Sequence, residues 1–478
     1  MPGFFVENFG CRAARADAEA VSDRLRAAGL AEEKSSVADV VIVNTCSVTA
    51  EADRAARAFI RRAHRQNPAA RIVVTGCYAQ RAPQELASIP GVSAVVGNSH
   101  KALAPEIALG LVQKAAELVV ADQPVAHPDQ PDAHADLLPV GSILAGGAPV
   151  WADDRFAHSF LEEAQLAPGA QTRPNLKIQE GCGNRCTFCV IPQTRGSSRS
   201  LSAARVFKQV EGFVAAGGME LVLSGINLGR WGRDLPAESG NQRLTFAGLV
   251  RRILERTGLP RLRLSSIEPM DWDAELIGLL AEFGGGKLAR HAHLPLQSGS
   301  DAVLRRMHRR YRPWHYVEKV EALLRAAGPD LTLGADVMVG FPGETDAEFE
   351  ETVALIESLP FGYLHLFPFS PRPGTRGWAL HAERPVPGAA VDERMAALRA
   401  LAARKIATHR SRFAGRELDA ITLHTPAALA GCGRTAALTE NFLPVELEGG
   451  MEANRLVRVV VTGMDAGGSL RGAFPALV

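Results

Sequence analysis

The stretch that most constrains this chain is residues 181–197, GCGNRCTFCVIPQTRGS, which puts Cys182, Cys186 and Cys189 in one short loop behind the apolar, strand-like run 176–179. Gly183 and Asn184 break the loop, so its three thiolates can converge on one soft metal centre. Three is one short of a closed set. A structural zinc knuckle is the bland reading, but such a site is usually closed by a second Cys or His pair at its own short spacing. No such pair follows in the next hundred residues. An iron–sulfur cluster on three cysteines leaves one iron open to a substrate or cofactor, so the missing ligand itself points to chemistry.

Upstream, a strand-like apolar run ends three times with a cysteine close behind it: 4–8 before Cys11, 40–44 before Cys46 and 71–75 before Cys77. Helical stretches follow, the clearest over 50–65. The pattern βαβαβ predicts a parallel sheet whose post-strand loops share one edge, where ligands bind. Any one of these cysteines alone reads as a buried core thiol. All three at the same structural point read as a second three-cysteine cluster, again with an open iron.

A chain of 478 residues exceeds one core and predicts several domains: 1–115, a linker over 116–173, 174–412, and 413–478. The linker is rich in Pro, Asp, Ala and Gly, and its His127, His134 and His158 lack paired ligand spacing and read as solvated. In the third region, strand patterns at 176–179, 219–224, 261–265, 291–296, 332–339 and 363–369 alternate with helical ones, predicting an incomplete (β/α)6 barrel. Barrel chemistry sits where strands end, which singles out Ser265, Ser266 and Glu268, then Gln297 and Ser298, then Gly340, Phe341 and Pro342, then Ser370 and Arg372. The last region predicts a helix over 391–413 and a small antiparallel β-barrel from strands at 420–424, 435–439, 455–462 and 469–474. Phe442 and Phe474 are its aromatic stacking candidates, and Cys432 reads as a buried free thiol.

The 53 basic and 52 acidic residues balance, so any polyanion-binding surface must be local. Candidates are Arg61, Arg62 and Arg65; Arg305, Arg306, Arg309, Arg310 and Arg312; and the run 405–412. The N-terminus has no signal-peptide pattern and no apolar run spans a bilayer; seven cysteines then argue for a reducing cytoplasm and thiolate chemistry rather than disulfides.

The C-x3-C-x2-C spacing, with Phe188 before the last cysteine, resembles the radical S-adenosylmethionine (SAM) superfamily. Two cysteine sets in this order resemble its methylthiotransferases. The signatures FGCRAARADAE, NTCSVTAEAD and TGCYAQ are present, and LSGINLGRWG, LRLSSIEP, HLPLQSGSD, GADVMVGFPGET and FPFSPRPGT follow in order. One departure is Ala14, where the first signature usually carries asparagine. The resemblance implies two 4Fe-4S clusters, one on Cys182, Cys186 and Cys189 that binds and cleaves SAM, the other on Cys11, Cys46 and Cys77 that delivers the methylthio group. It implies SAM contacts from Phe188, Gly217, Gly218, Glu220, Ser265, Gln297, Asp336, Gly340 and Pro342, and a C-terminal TRAM-like RNA-binding barrel. The strings GINLGRWG and HLFPFSPRPGT resemble the group acting on N6-threonylcarbamoyladenosine. They imply as substrate C2 of that base at tRNA position 37, in the anticodon stem-loop. A flavodoxin- or ferredoxin-like electron donor, a sulfur donor and a monomeric state are implied with it. Isopentenyladenosine in tRNA and a ribosomal-protein aspartate are the alternative targets. A non-catalytic iron–sulfur RNA-binding protein is the rival of another class.

Overall fold

The computed structural model describes residues 1–120, 147–156, 166, 172–237, 243–465 and 467–475. The linker histidines His127, His134 and His158 lie outside the described residues. The chain divides into two compact units, one of Met1–Gln165 with Gly181–Gly183 and Val190–Ser197, the other of the remainder.

In the first unit, strands β1 (Gly3–Asn8), β2 (Ala31–Glu32), β3 (Val40–Thr45), β4 (Arg71–Gly76), β5 (Val92–Gly97) and β6 (Val150–Trp151) form one sheet. Its order is β2-β1-β3-β4-β5-β6 and every pairing is parallel. β3 is buried along its whole length, which explains its near-continuous apolar run. Its alternate residues serve two cores: Val41 and Val43 pack with Phe59 and Ile60 on one face, Val40 and Ile42 with Val21 and Leu25 on the other. The helix Ala50–Gln66 begins where Thr49 Oγ1 accepts the Ala52 N–H at 3.2 Å, so the chain turns promptly after Cys46.

In the second unit, β7 (Asn175–Glu180), β8 (Arg199–Ser200), β9 (Glu220–Gly225), β10 (Arg261–Leu264), β11 (His291–His293), β12 (Thr332–Val339) and β13 (Phe361–Pro368) build the central domain. They lie in two sheets, β10-β9-β7-β8 and β11-β12-β13, joined by isolated parallel bridges such as Ser266 to His293. Apart from β8, which pairs antiparallel with β7, these are the six parallel strands of an incomplete barrel. β11 stops at His293, short of the expected 296, although the N–H groups of Leu294 and Leu296 still donate to the β12 carbonyls of Gly334 and Asp336.

The last region is a closed five-strand barrel, β14 (Glu417–Thr422), β15 (Arg434–Thr439), β16 (Pro444–Glu448), β17 (Leu456–Met464) and β18 (Leu470–Ala473), ordered β14-β15-β16-β18-β17. β16 is a fifth strand that the sequence reading missed, although Val445 and Leu447 alternate inward there. Its pairing with β18 is parallel, so the barrel is not wholly antiparallel. Cys432 is exposed rather than buried, in the turn after a short helix, Ala427–Ala430.

The helix Gly388–Ser411 buries Met395, Leu398 and Leu401 against the central core. Its basic end is tied to neighbouring carbonyls: Lys405 Nζ donates to the Glu357 carbonyl at 2.5 Å, Arg410 to Gly468 at 2.5 Å and Arg412 to Pro329 at 2.6 Å. Among the described residues no helix is long and apolar enough to cross a membrane.

Candidate active site

The loop after β7 is fixed from several sides. Gly181 holds φ +70°, and a Cβ there would lie 2.0 Å from the Ser197 carbonyl oxygen, so only glycine fits. The Cys182 N–H donates to the Gly196 carbonyl at 3.0 Å, and Cys189 N–H to Cys186 O at 3.1 Å closes a tight turn. Thr187 anchors the loop by donating its N–H to Met307 O at 3.1 Å and its hydroxyl to Arg306 O at 3.0 Å.

Cys186 has a charged neighbour. Arg309 Nη1 lies 3.3 Å from Cys186 Sγ while Nη2 donates to both Glu268 oxygens, at 2.8 and 2.6 Å, and Nε to the Tyr311 hydroxyl at 3.2 Å. Burial disfavours the Arg309 cation, but Tyr311, Glu268 and Cys186 around it outweigh that and hold its pKa well above the ordinary value. Burial pushes the Tyr311 hydroxyl up, keeping it a neutral donor to the carbonyls of Pro295 and Leu296. A thiolate facing a fixed guanidinium is a suitable soft-metal ligand, and the loop's donor set fits an iron–sulfur cluster.

The chain just past β10, β11 and β12 lies at this same end of the barrel, bringing Ser265, Gln297, Gly340 and Pro342 with it. Gly340 adopts φ +75° and donates its N–H to Glu344 Oε2 at 2.8 Å, and Arg394 holds Glu344 at 2.9 Å. That brace fixes a buried turn at Gly340 and Pro342, just past the end of β12.

In the first unit, the ends of β1, β3 and β4 are neighbours in the sheet and carry Cys11, Cys46 and Cys77. Cys46 and Cys77 are buried and Cys11 is exposed. Burial, then the neighbouring Cys77 and Cys11, push the Cys46 thiol up to about 12. Thiols crowded this way ionise together only against a cation. Cys77 Sγ also receives Asn98 Nδ2 at 3.3 Å and Arg195 Nε at 3.2 Å, so this donor set too fits a cluster.

Residues 3–97 match the model of uncharacterized protein family UPF0004, and residues 176–356 that of the Radical SAM superfamily. The chain is 35% identical over 442 residues to the threonylcarbamoyladenosine tRNA methylthiotransferase MtaB of Bacillus subtilis, covering 92% of this chain and 89% of that protein. The chain belongs to the radical SAM methylthiotransferase family. The MtaB of Aquifex aeolicus is 33% identical, with 95% of this chain and 99% of that protein covered. A tRNA-2-methylthio-N(6)-dimethylallyladenosine synthase of Geobacter metallireducens is 34% identical, with 79% and 77% covered. Among solved structures, the radical SAM methyltransferase TsrM of Kitasatospora setae, with cobalamin and a [4Fe-4S] cluster bound, shares the fold. Its TM-score is 0.52 at 16% identity, over 81% of this chain and 80% of that one.

For this methylthiotransferase, several expected SAM contacts need correcting. Gly217 and Gly218 precede β9 and Glu220 opens it, at the end of the barrel opposite the cysteine loop. Glu220 is fully buried and faces Arg263 at 2.8 Å, with Arg261 and Arg173 each at 3.6 Å. Burial alone would raise its pKa; the three guanidiniums, Arg263 foremost, outweigh burial and hold it below the carboxylate value. The Gly217 carbonyl accepts Asn454 Nδ2 at 3.0 Å. These residues join domains and do not reach a cofactor at the strand ends. Asp336 lies within β12, its carboxylate 3.3 Å from His293 Nε2 and 3.2 Å from His365 Nδ1. Phe188 is half-buried in the loop itself.

Phe442 is no base-stacking platform. Its ring packs 4.3 Å from His291 and 5.4 Å from Tyr363, with the Arg263 guanidinium 5.2 Å away. Phe474 is exposed. The run 305–312 is an ion-pair scaffold, with Arg305 and Arg312 on Asp301, Arg306 on Glu348, Arg310 on Asp271 and Arg309 turned inward to Cys186. Ala14 is buried under Gly10, and its carbonyl accepts Asn44 Nδ2 at 2.5 Å. The sequence reading missed Arg195, Asp17, Lys101 and Asn98 as neighbours of Cys77. Arg195 stood in the motif stretch, but nothing in its spacing tied it to a cysteine far upstream.

Proposed function

We propose that the chain transfers a methylthio group to C2 of N6-threonylcarbamoyladenosine at position 37 of tRNA, in the anticodon stem-loop. The observation that carries this choice of base is the extent of the alignments. Four threonylcarbamoyladenosine enzymes align over 86% to 97% of the chain, three of them over 92% or more, whereas dimethylallyladenosine synthases at similar identity align over 78% to 88%. The reaction takes place in the cytoplasm, on a monomer, with a flavodoxin- or ferredoxin-like protein as electron donor and a separate source of sulfur.

Cys182, Cys186 and Cys189 would hold a 4Fe-4S cluster that, with SAM, supplies the one-electron chemistry needed to break an unactivated aromatic C–H bond. Arg309, seated on Glu268 and Tyr311, fixes Cys186 and neutralises its charge. The turn at Gly340 and Pro342 offers backbone to the adenine ring, and Ser265 and Gln297 offer polar atoms from neighbouring strand ends. Cys11, Cys46 and Cys77 would hold the second cluster, from which the methylthio group is delivered. The C-terminal barrel is TRAM-like and binds RNA through its outer surface, Phe442 being occupied elsewhere.

Two experiments test this. Nucleoside mass spectrometry of a deletion strain should show loss of 2-methylthio-N6-threonylcarbamoyladenosine; loss of the isopentenyl-type product instead would give the chain that substrate. With purified protein, Cys182→Ala should stop reductive SAM cleavage, whereas Cys46→Ala should retain cleavage and abolish methylthiolation. Equal loss of cleavage in both, with iron at the first site preserved, overturns the division of labour.

A further inference from the structure

The helix Ile191–Arg195 follows directly on the radical SAM loop, yet its last side chain is committed to the other cysteine set. Arg195 is fully buried; its Nε is 3.2 Å from Cys77 Sγ and its Nη1 is 3.1 Å from Asp17 Oδ2. The same Asp17 oxygen accepts Lys101 Nζ at 3.0 Å, and both of those residues are buried. These three side chains carry two positive charges and one negative. Asn98 Nδ2 is shared between Cys77 Sγ at 3.3 Å and the Thr194 carbonyl at 2.9 Å, which ties the helix carrying Arg195 to the thiol. Gly76, just before Cys77, holds φ +99°, and a Cβ there would lie 2.3 Å from the Thr45 carbonyl oxygen, so only glycine fits against the neighbouring strand.

Charged groups buried at this depth are costly unless they meet opposite charge. A thiolate ligand of a cluster is such a charge, and reducing the cluster by one electron increases it. A guanidinium against the sulfur therefore favours the reduced form, more strongly at low local dielectric than in water. Asp17 acts in the opposite sense.

We propose that Arg195, seated on Asp17 and backed by Lys101, sets the reduction potential of the cluster carried by Cys11, Cys46 and Cys77, with Asn98 as a second donor to the same sulfur. Arg195 is a positioning residue here, acting through Cys77. This rests on the reading of those cysteines as a cluster site.

The test uses the full chain with Cys182, Cys186 and Cys189 all changed to Ala, reconstituted with iron and sulfide, so that the N-terminal set stands alone. Iron content is measured, and the one-electron couple is titrated with dithionite and followed by electron paramagnetic resonance. Arg195→Gln should lower the midpoint, reducing the reduced-to-oxidised ratio at fixed potential about tenfold, which is ~59 mV for one electron. Asn98→Ala should lower it less, Arg195→Lys should recover part of the loss, and Asp17→Asn should raise it. Absence of a cluster in the parent variant overturns the cluster reading itself. A cluster with the same midpoint in Arg195→Gln and Asp17→Asn overturns the role of Arg195, as does a shift of the same sign in both, which marks general loosening. Should Arg195→Gln fail to hold a cluster, Asp17→Asn and Asn98→Ala decide, and no shift in either refutes the proposal.

Discussion

The two ends of the central barrel are built on opposite principles. At the strand C-termini the chain is irregular: glycines at positive φ, a braced turn at Gly340, and one buried arginine aimed at Cys186. At the strand N-termini the C-terminal barrel closes the structure with paired charge. Glu440 takes Arg290 at 2.8 and 2.5 Å, Asp330 takes Arg290 at 3.1 Å and also Arg416, and Arg263 donates to the Thr439 carbonyl at 3.2 Å. Phe442 fills the space beneath His291 and Tyr363. Charge at one end therefore ties two parts of the structure together, and at the other a guanidinium faces a cysteine of the loop.

The sharpest way to break this contrast is Glu220→Gln. It leaves Arg263, Arg261 and Arg173 facing a neutral amide in a fully buried place, and should cost about 4 kcal/mol in urea unfolding. SAM affinity of the folded fraction should stay unchanged; a loss of SAM binding without loss of stability would return Glu220 to the cofactor site. Next in size is Arg309→Leu at the other end. Glu268 keeps 19% of its side-chain exposure, so solvent absorbs part of the penalty and about 3 kcal/mol is expected. Here SAM cleavage should fall together with stability, and a change in the cluster's spectrum should accompany it.

Glu220 also shows what could be read in advance. The strand 219–224 was legible from its apolar run, and the structure sets it at Glu220–Gly225. What misled was the resemblance, which implied Gly217, Gly218 and Glu220 as SAM contacts; they stand where a helix ends and a strand begins. The cysteine loop was legible because its spacing is local. Cys11, Cys46 and Cys77 were legible at one remove, since parallel topology brings post-strand positions to one edge. Arg195 and Arg309 were not, because each meets its thiol through tertiary packing across long sequence separation. Each was one arginine in a motif or a basic run with no periodic mark. β16 was overlooked because its Val445 and Leu447 supply only two inward positions, below what a period-2 pattern needs to stand out.

A pH measurement sharpens the contrast further. His409 is buried beside Thr332, its Nε2 2.9 Å from that hydroxyl, and burial, followed by Arg412 and Arg410, lowers its pKa from 6.5 to about 4. The folded state thus binds the proton less readily than the unfolded chain. The contribution of neutral His409 is complete above pH 6.5 and is lost as pH falls towards about 4. The span is on the order of 2 kcal/mol once residual solvation is allowed for. Glu220, with its pKa lowered from 4.5, contributes fully above that value and fails only further into acid. Denaturation midpoints between pH 7 and 4 should decline in the native chain and flatten in His409→Gln. An unchanged slope would mean that another group governs acid stability at this end.

The smallest effect is expected at Cys432, on the same side of the comparison but outside every charged contact described above. It is exposed, in the turn joining the short helix Ala427–Ala430 to β15, with its N–H on the Leu429 carbonyl at 3.1 Å. Serine preserves that backbone bond and removes only a solvated sulfur, so stability should change by less than about 0.5 kcal/mol. Iron per chain and SAM cleavage should be the same as in the native protein, since the proposed clusters use the other six cysteines, three each. A loss of iron in Cys432→Ser would assign a ligand to the end of the barrel that charge pairing otherwise closes, and the separation of a stabilising end from a reacting end would fail with it.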